Sequence, residues 1–96
     1  MENVIIYYQQ KRNESTENAI IFIDSLIKNI KTRYNIKGVY IDNFENQNEL
    51  LELLQSPLAD IDYIYLDELP HDEFNWKLIN QLARSEGFTI KFFSDI

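Results

Sequence analysis

The chain has 96 residues, a net charge of −7 and no cysteine, and 45% of its residues are hydrophobic. This length suits one domain spanning residues 1–96, with the hydrophobic content of a globular protein. The absence of cysteine excludes disulfides and thiolate metal sites, and we expect a cytoplasmic protein without a membrane span. Because non-specific DNA binding depends on Lys and Arg, the negative charge disfavours direct binding to DNA.

Short apolar runs rich in β-forming residues alternate with helical patterns. They predict strands at residues 4–8, 37–42, 63–66 and 88–93. Between them we expect three helices, capped by Ser15 or Thr16, by Asn46 and by Asp72, the last ending at Gly87. The first helix has an apolar stripe that recurs every three or four residues: Ala19, Phe22, Ile23, Leu26, Ile27, Ile30 and Tyr34. Leucines mark the second helix, and Phe74, Leu78 and Leu82 define the apolar side of the third.

The alternation of strands and helices predicts an α/β fold with three α/β/α layers. Right-handed crossovers favour a four-stranded parallel sheet with strand order 2-1-3-4, as in flavodoxin-like proteins. In such sheets ligands bind beyond the carboxyl ends of the strands. We therefore expect a site face at residues that follow the first three strands: Gln9, Lys11, Asp42, Asp67, Glu68 and His71.

Three stretches of the chain carry a family resemblance. Residues 7–11 read Tyr-Tyr-Gln-Gln-Lys, the second strand ends in Asp42, and residues 67–71 read Asp-Glu-Leu-Pro-His. They resemble the catalytic domain of the resolvase/invertase family of serine recombinases, which has Tyr-x-Arg-x-Ser after its first strand and Asp-Arg-Leu-x-Arg after its third. The match is specific at Asp67 and Leu69, and it implies a resolvase-like fold.

The departures from the family pattern bear on activity. Lys11 stands at the position of the nucleophilic serine, Gln9 at the first arginine, and Glu68 and His71 at the two later arginines. Arginine contacts stabilise the charge of a phosphoryl transition state, and a carboxylate in their place repels phosphate. The resemblance therefore implies a domain without strand-exchange activity.

Ser15 offers one alternative. If the loop before it holds an insertion, Ser15 and Thr16 would match the serine–threonine pair of the family, with Arg12 nearby. This register restores a nucleophile but leaves Glu68 and His71 in place of the arginines. A serine directly before an apolar helical stripe is far more often a helix cap.

The acidic strand ends offer another alternative. If Asp42, Asp67 and Glu68 converge, they could bind Mg²⁺ through their oxygens. The chain has only two glycines and no glycine-rich phosphate loop. Carboxylates at loops and caps are the commoner interpretation, so we predict neither a metal nor a cofactor.

Three functions follow. The leading hypothesis is a catalytically inactive resolvase-like domain that works as a protein–protein interaction or regulatory module, with a second copy, a recombinase or another DNA-acting protein as its partner. The second is an acidic DNA mimic that inhibits a basic nucleic-acid-binding protein. The third is a small Mg²⁺-dependent phosphotransfer enzyme or nuclease that uses Asp42 and Asp67.

Overall fold

Strands and helices alternate along the whole chain, as the hydrophobic pattern predicts. The structure, a computed structural model, describes residues 1–96. The elements are β1 (Glu2–Gln9), α1 (Thr16–Ile30), β2 (Tyr34–Asp42), α2 (Asn48–Gln55), β3 (Tyr63–Leu66), α3 (Glu73–Glu86) and β4 (Thr89–Phe92), followed by a short 3₁₀ helix (Phe93–Asp95). No helix is long and apolar enough to cross a lipid bilayer.

The four strands form one parallel sheet in the order β2-β1-β3-β4, which confirms the predicted topology. β1 is central and pairs with β2 on one side and β3 on the other. Five consecutive residues of β1, from Val4 to Tyr8, are buried, because helices cover both faces of a central parallel strand. Gln9 pairs with Asp42, and Tyr7 with Leu66, so the loops that follow these three strands meet at one edge. We name this edge the carboxyl edge.

The sheet separates two hydrophobic cores. Val4, Ile6 and Tyr8 alternate with Ile5 and Tyr7 along β1, and the two sets point to opposite faces. On one face the core is completed by α1, through Ala19, Ile23 and Ile30. On the other face it is completed by α2 and α3, mainly through Leu50, Leu53, Leu54 and Ile79. The three layers of the predicted fold are therefore present.

The ends of the first and third helices follow the sequence signals. Ser15 is the N-cap of α1 and its hydroxyl accepts a hydrogen bond from the Asn18 amide. Asp72 caps α3 through the amides of Phe74 and Asn75. Gly87 ends α3 with φ of 84°, a left-handed conformation that side chains disfavour.

Three local predictions are wrong. Tyr34 belongs to β2 and not to the stripe of α1, which ends at Ile30. Phe74 is 70% exposed, whereas the next residue, Asn75, is buried, because Phe74 lies on the solvent side of the first turn of α3. Asn46 is not the N-cap of α2: the helix begins at Asn48, and Asn46 binds only the amide of that residue, whereas the next two amides are bound by Asp42 of β2.

Candidate functional site

Four of the predicted site residues meet at the carboxyl edge. The Lys11 ammonium lies 2.6 Å from Asp67 Oδ2 and 3.3 Å from Glu68 Oε1. The same Glu68 oxygen lies 3.2 Å from His71 Nε2. We call Lys11, Asp67, Glu68 and His71 the outer cluster. It joins the loop after β1 to the loop after β3 and closes the crevice between these two strands, where a cavity of only about 10 Å³ remains.

The charges of the outer cluster stabilise one another. Partial desolvation lowers the pKa of Lys11, but hydrogen bonds and charge from Asp67 and Glu68 outweigh it, so the pKa is raised. Desolvation also acts on Glu68, and Lys11 and His71 outweigh it, so the pKa of Glu68 is lowered. Lys11 is therefore held as an ammonium, and an ammonium has no lone pair with which to act as a nucleophile or base.

Asp42 belongs to a different arrangement, deeper in the molecule. Its side chain is buried, with 2% of the residue exposed. Oδ1 accepts a hydrogen bond from the Glu49 amide at 2.8 Å, and Oδ2 accepts from the Leu50 amide at 3.0 Å and the Tyr7 hydroxyl at 2.7 Å. We call Asp42 and Tyr7 the inner cluster. Asp42 thus performs the capping of α2 that the sequence assigned to Asn46.

The inner cluster restrains both of its side chains. Burial and the adjacent Asp42 carboxylate raise the pKa of Tyr7 far above its ordinary value, so the hydroxyl keeps its proton and donates a hydrogen bond to Asp42. Both Asp42 oxygens are occupied by protein donors. No group of three or more His, Cys, Asp or Glu side chains lies in an arrangement that could hold a metal ion. Asp42 therefore does not converge with Asp67 and Glu68 on a common point.

Gln9 and Ser15 are the remaining predicted site residues, and their side chains form hydrogen bonds with backbone groups. Gln9 Nε2 donates to the Asn46 carbonyl at 3.0 Å, and to the carbonyls of Asn43 and Phe44 at 3.4 Å each, which ties the end of β1 to the loop after β2. The Ser15 hydroxyl caps α1. Both side chains are committed to the protein, and neither points to a reacting group.

The arginines do not gather beside Ser15. Arg33 directly precedes β2, and Arg84 lies in the last turn of α3 before β4, so both lie near the opposite, amino edge of the parallel sheet. Arg12 lies near the carboxyl edge, where its guanidinium stacks 4.6 Å from the centre of the Phe44 ring. A group of arginines able to hold a phosphate is therefore absent from this edge.

The helix N-termini at the carboxyl edge are also occupied. A helix N-terminus attracts phosphate because its first amides are unpaired. Here Ser15 binds the first turn of α1, Asp42 that of α2 and Asp72 that of α3. Two of the three caps are carboxylates, so the positions that a bound anion would take at α2 and α3 are already filled by the protein's own side chains.

A cleft lies beside the outer cluster, and four of the predicted site residues line it: Gln9, Lys11, Glu68 and His71. It has a volume of about 480 Å³ and lies between the loop after β1 and the loop after β2, with Gln10, Arg12 and Phe44 in its lining. The loop after β1 is shaped by Glu14, which accepts hydrogen bonds from the Tyr8 hydroxyl at 2.7 Å and from the Lys11 amide at 3.1 Å. No motif marks these residues, since the cleft depends on how the two loops fold back.

Comparison with protein-family models, with curated proteins and with solved structures gives no significant match.

Proposed function

We propose that the chain is a catalytically inactive, resolvase-like domain that acts by binding another protein. The observation that carries this proposal is the pairing of the Lys11 ammonium with Asp67 and Glu68. In the register of the resemblance, Lys11 occupies the position of the nucleophilic serine and Glu68 that of an arginine. The place of a nucleophile and its phosphate contacts is thus taken by an internal ion pair.

The chemistry of phosphoryl transfer supports this reading. The reaction needs an activated nucleophile and cationic groups that stabilise the charge of the transferred phosphate. Lys11 is protonated and neutralised, and Glu68 places a carboxylate where the family has an arginine that binds the phosphate. Removing one preorganised donor costs about 10²–10³ in rate. The chain lacks three such donors relative to the family pattern.

An exposed apolar surface supports a binding role. Ile20 and Ile21 on α1 are 54% and 59% exposed, and Val39 on β2 is 38% exposed. Val39 pairs with Ile6, whose side chain lies in the core beneath α1, so all three residues lie on the α1 side of the sheet. We call them the α1 surface. Ile20 and Ile21 are adjacent on the helix, and exposed apolar side chains that are contiguous are typical of contact sites for other proteins.

Charge selects among the partners. Two copies of a chain with a net charge of −7 repel each other, whereas a basic protein is attracted. Glu17 and Asp24 lie on α1 near Ile20 and Ile21, and both are exposed. The favoured partner is therefore a basic, DNA-acting protein such as a recombinase, and the proposal places the encounter in the cytoplasm.

A capture experiment with matched variants tests the binding role. The tagged chain is incubated with nuclease-treated host lysate at low salt, and captured proteins are identified by mass spectrometry. We expect basic DNA-acting proteins that are lost with Ile20→Ser/Ile21→Ser and kept with Leu51→Ser, which alters an exposed leucine on α2 at the opposite face. A capture unaffected by the double substitution would instead favour the DNA mimic, since that mode depends on charge.

The absence of catalysis is tested separately with supercoiled plasmid. We expect the DNA to stay supercoiled and to form no covalent adduct with the purified chain. Nicked plasmid, or a protein–DNA adduct that survives denaturation, would overturn the proposal.

A further inference from the structure

The cleft between the loops after β1 and β2 has the size and position of a small-molecule site. Its volume of about 480 Å³ lies in the range of about 300–1,000 Å³ typical of ligand pockets. It opens at the carboxyl ends of parallel strands, where α/β sheets bind ligands. Phe44 is the only apolar residue in its lining, so a ligand would be held by hydrogen bonds and stacking.

Gln10 supplies the observation that points to a ligand. Only 9% of this residue is exposed, and it lines the cleft. Its amide nitrogen makes one long hydrogen bond, 3.4 Å to the Thr16 hydroxyl, and its oxygen accepts none from the protein. No buried polar side-chain atom in the structure is both enclosed and unpaired, so this oxygen faces open space. Because Gln10 lines the cleft, this oxygen is an acceptor that a ligand can use, on a side chain whose position is fixed by the burial of its remaining atoms.

Arg12 and Phe44 supply a flat surface on the same cleft. The Arg12 guanidinium stacks on the Phe44 ring, and no carboxylate lies within 4 Å of it. Guanidinium planes and aromatic rings are the groups on which proteins stack nucleobases. The cleft therefore combines a hydrogen-bonding edge with a stacking face.

The charges around the cleft argue against a phosphorylated ligand. Glu45, Glu68 and Asp72 all line it. Lys11 is already paired with Glu68, so Glu45 and Asp72 remain against a single unpaired cation, Arg12. The adjacent helix N-termini are capped and offer no further positive site. A neutral ligand enters this cleft without the repulsion that a phosphate would meet.

We propose that this cleft binds a nucleobase or nucleoside without its phosphate. Gln10 pairs with the edge of the base, where a carboxamide offers one donor and one acceptor side by side. That pattern complements adenine, which presents its N6 amino group beside N7. Arg12 stacks on the face of the base. This inference concerns a different surface from the proposed protein contact and does not depend on it.

The test is a titration of the isotope-labelled full chain with the four ribonucleosides, followed by amide chemical shifts in NMR spectra. We expect saturable shifts in the loops after β1 and β2, strongest with adenosine. Gln10→Leu should weaken adenosine binding about tenfold or more, since a bidentate contact to a base is lost. Arg12→Ala, at an exposed position, should also weaken it. Gln81→Leu, on the exposed side of α3, is the matched control and should leave binding unchanged.

Adenosine monophosphate decides the phosphate question and should bind no more tightly than adenosine. The proposal fails if no nucleoside gives saturable shifts, or if adenosine binds Gln10→Leu as well as the unmodified chain. It also fails if the monophosphate binds more tightly, because the cleft would then be an anion site.

Discussion

The inner and outer clusters lie at the same edge of the same sheet, yet carboxylates play different parts in them. Asp42 is buried and receives three hydrogen bonds, all from fixed donors of β1 and α2. Asp67 and Glu68 are about one-third and more than half exposed in their side chains, and they share a flexible lysine. Burial, and not residue type, decides whether an acidic strand end is a fixed structural part or an adjustable surface charge.

The energies should differ accordingly. Hydrogen bonds to a charged group contribute about 1.5–3 kcal/mol each, and a buried donor that loses its acceptor keeps its desolvation cost. Exposed ion pairs contribute about 0.2–1 kcal/mol, because water and salt screen them. Substitutions in the two clusters should therefore lower the free energy of unfolding by different amounts, and this difference can be measured.

The largest effect is expected for Asp42→Ala. The change leaves the Tyr7 hydroxyl and the amides of Glu49 and Leu50 without their acceptor in the interior. We expect a loss of about 3 kcal/mol or more in the free energy of unfolding, measured by urea denaturation at pH 7. Small domains have about 5–15 kcal/mol in all, so α2 should also become susceptible to proteolysis.

Asp42→Asn is the matched control, since it keeps the shape and one carbonyl acceptor while it removes the charge. We expect the free energy of unfolding to fall by roughly half as much as it does with Asp42→Ala. If Asp42→Ala unfolds at the same urea concentration as the unmodified chain, then Asp42 does not hold α2, and the inner cluster is no more structural than the outer.

Two neighbouring tyrosines on β1 give the next largest effect. Tyr7→Phe removes the hydroxyl that donates to buried Asp42, and Tyr8→Phe removes one that donates to Glu14 at the protein's rim. We expect a loss of about 2 kcal/mol for Tyr7→Phe and about 0.5–1 kcal/mol for Tyr8→Phe. Both variants keep the ring and its packing, so differential scanning calorimetry compares the hydroxyls alone. Equal losses would remove the distinction between a buried and a part-buried acceptor.

The sequence predicted the strand order because continuous apolar runs and right-handed crossovers leave few arrangements. It predicted the caps Ser15 and Asp72 because a cap acts on amides two or three residues away. It missed the cap of α2 for the opposite reason: Asp42 lies seven residues before Glu49, and only the fold of the loop between β2 and α2 brings the two together. Local signals therefore gave the elements, and tertiary contacts corrected their ends.

The sequence also predicted only part of the candidate site. The position of Lys11 beside Asp67 and Glu68 follows from placing β1 next to β3, which the topology already required. The burial of Gln10 and the stacking of Arg12 on Phe44 do not, because each depends on how a loop without regular structure folds back over the sheet. The pattern therefore predicted which strand ends meet, but not how the side chains of the loops pack.

The smallest effect is expected for Lys11→Met, which removes the ammonium from the outer cluster and keeps an unbranched side chain of similar length. The loss at pH 7 should be about 0.2–1 kcal/mol, given the exposure of all the partners. It should shrink further in 1 M salt, where charges are screened within about 3 Å. Lys28→Met is the control, since the Lys28–Asp24 pair lies on the surface of α1.

The pH dependence of this small loss distinguishes the outer cluster from the inner one. The lowered pKa of Glu68 gives stability that is present above its unfolded pKa, about 4.3, and is lost as the pH falls through the folded pKa. The raised pKa of Lys11 gives stability that is present below its unfolded pKa, about 10.4, and is lost as the pH rises through the folded pKa. The free energy of unfolding of the unmodified chain should therefore exceed that of Lys11→Met by a constant amount from about pH 5 to 10. This difference should become smaller below about pH 5 and above about pH 10. A difference that widens on acidification, in urea denaturation at pH 7 and pH 3, would mean that Lys11 does more than neutralise two surface carboxylates.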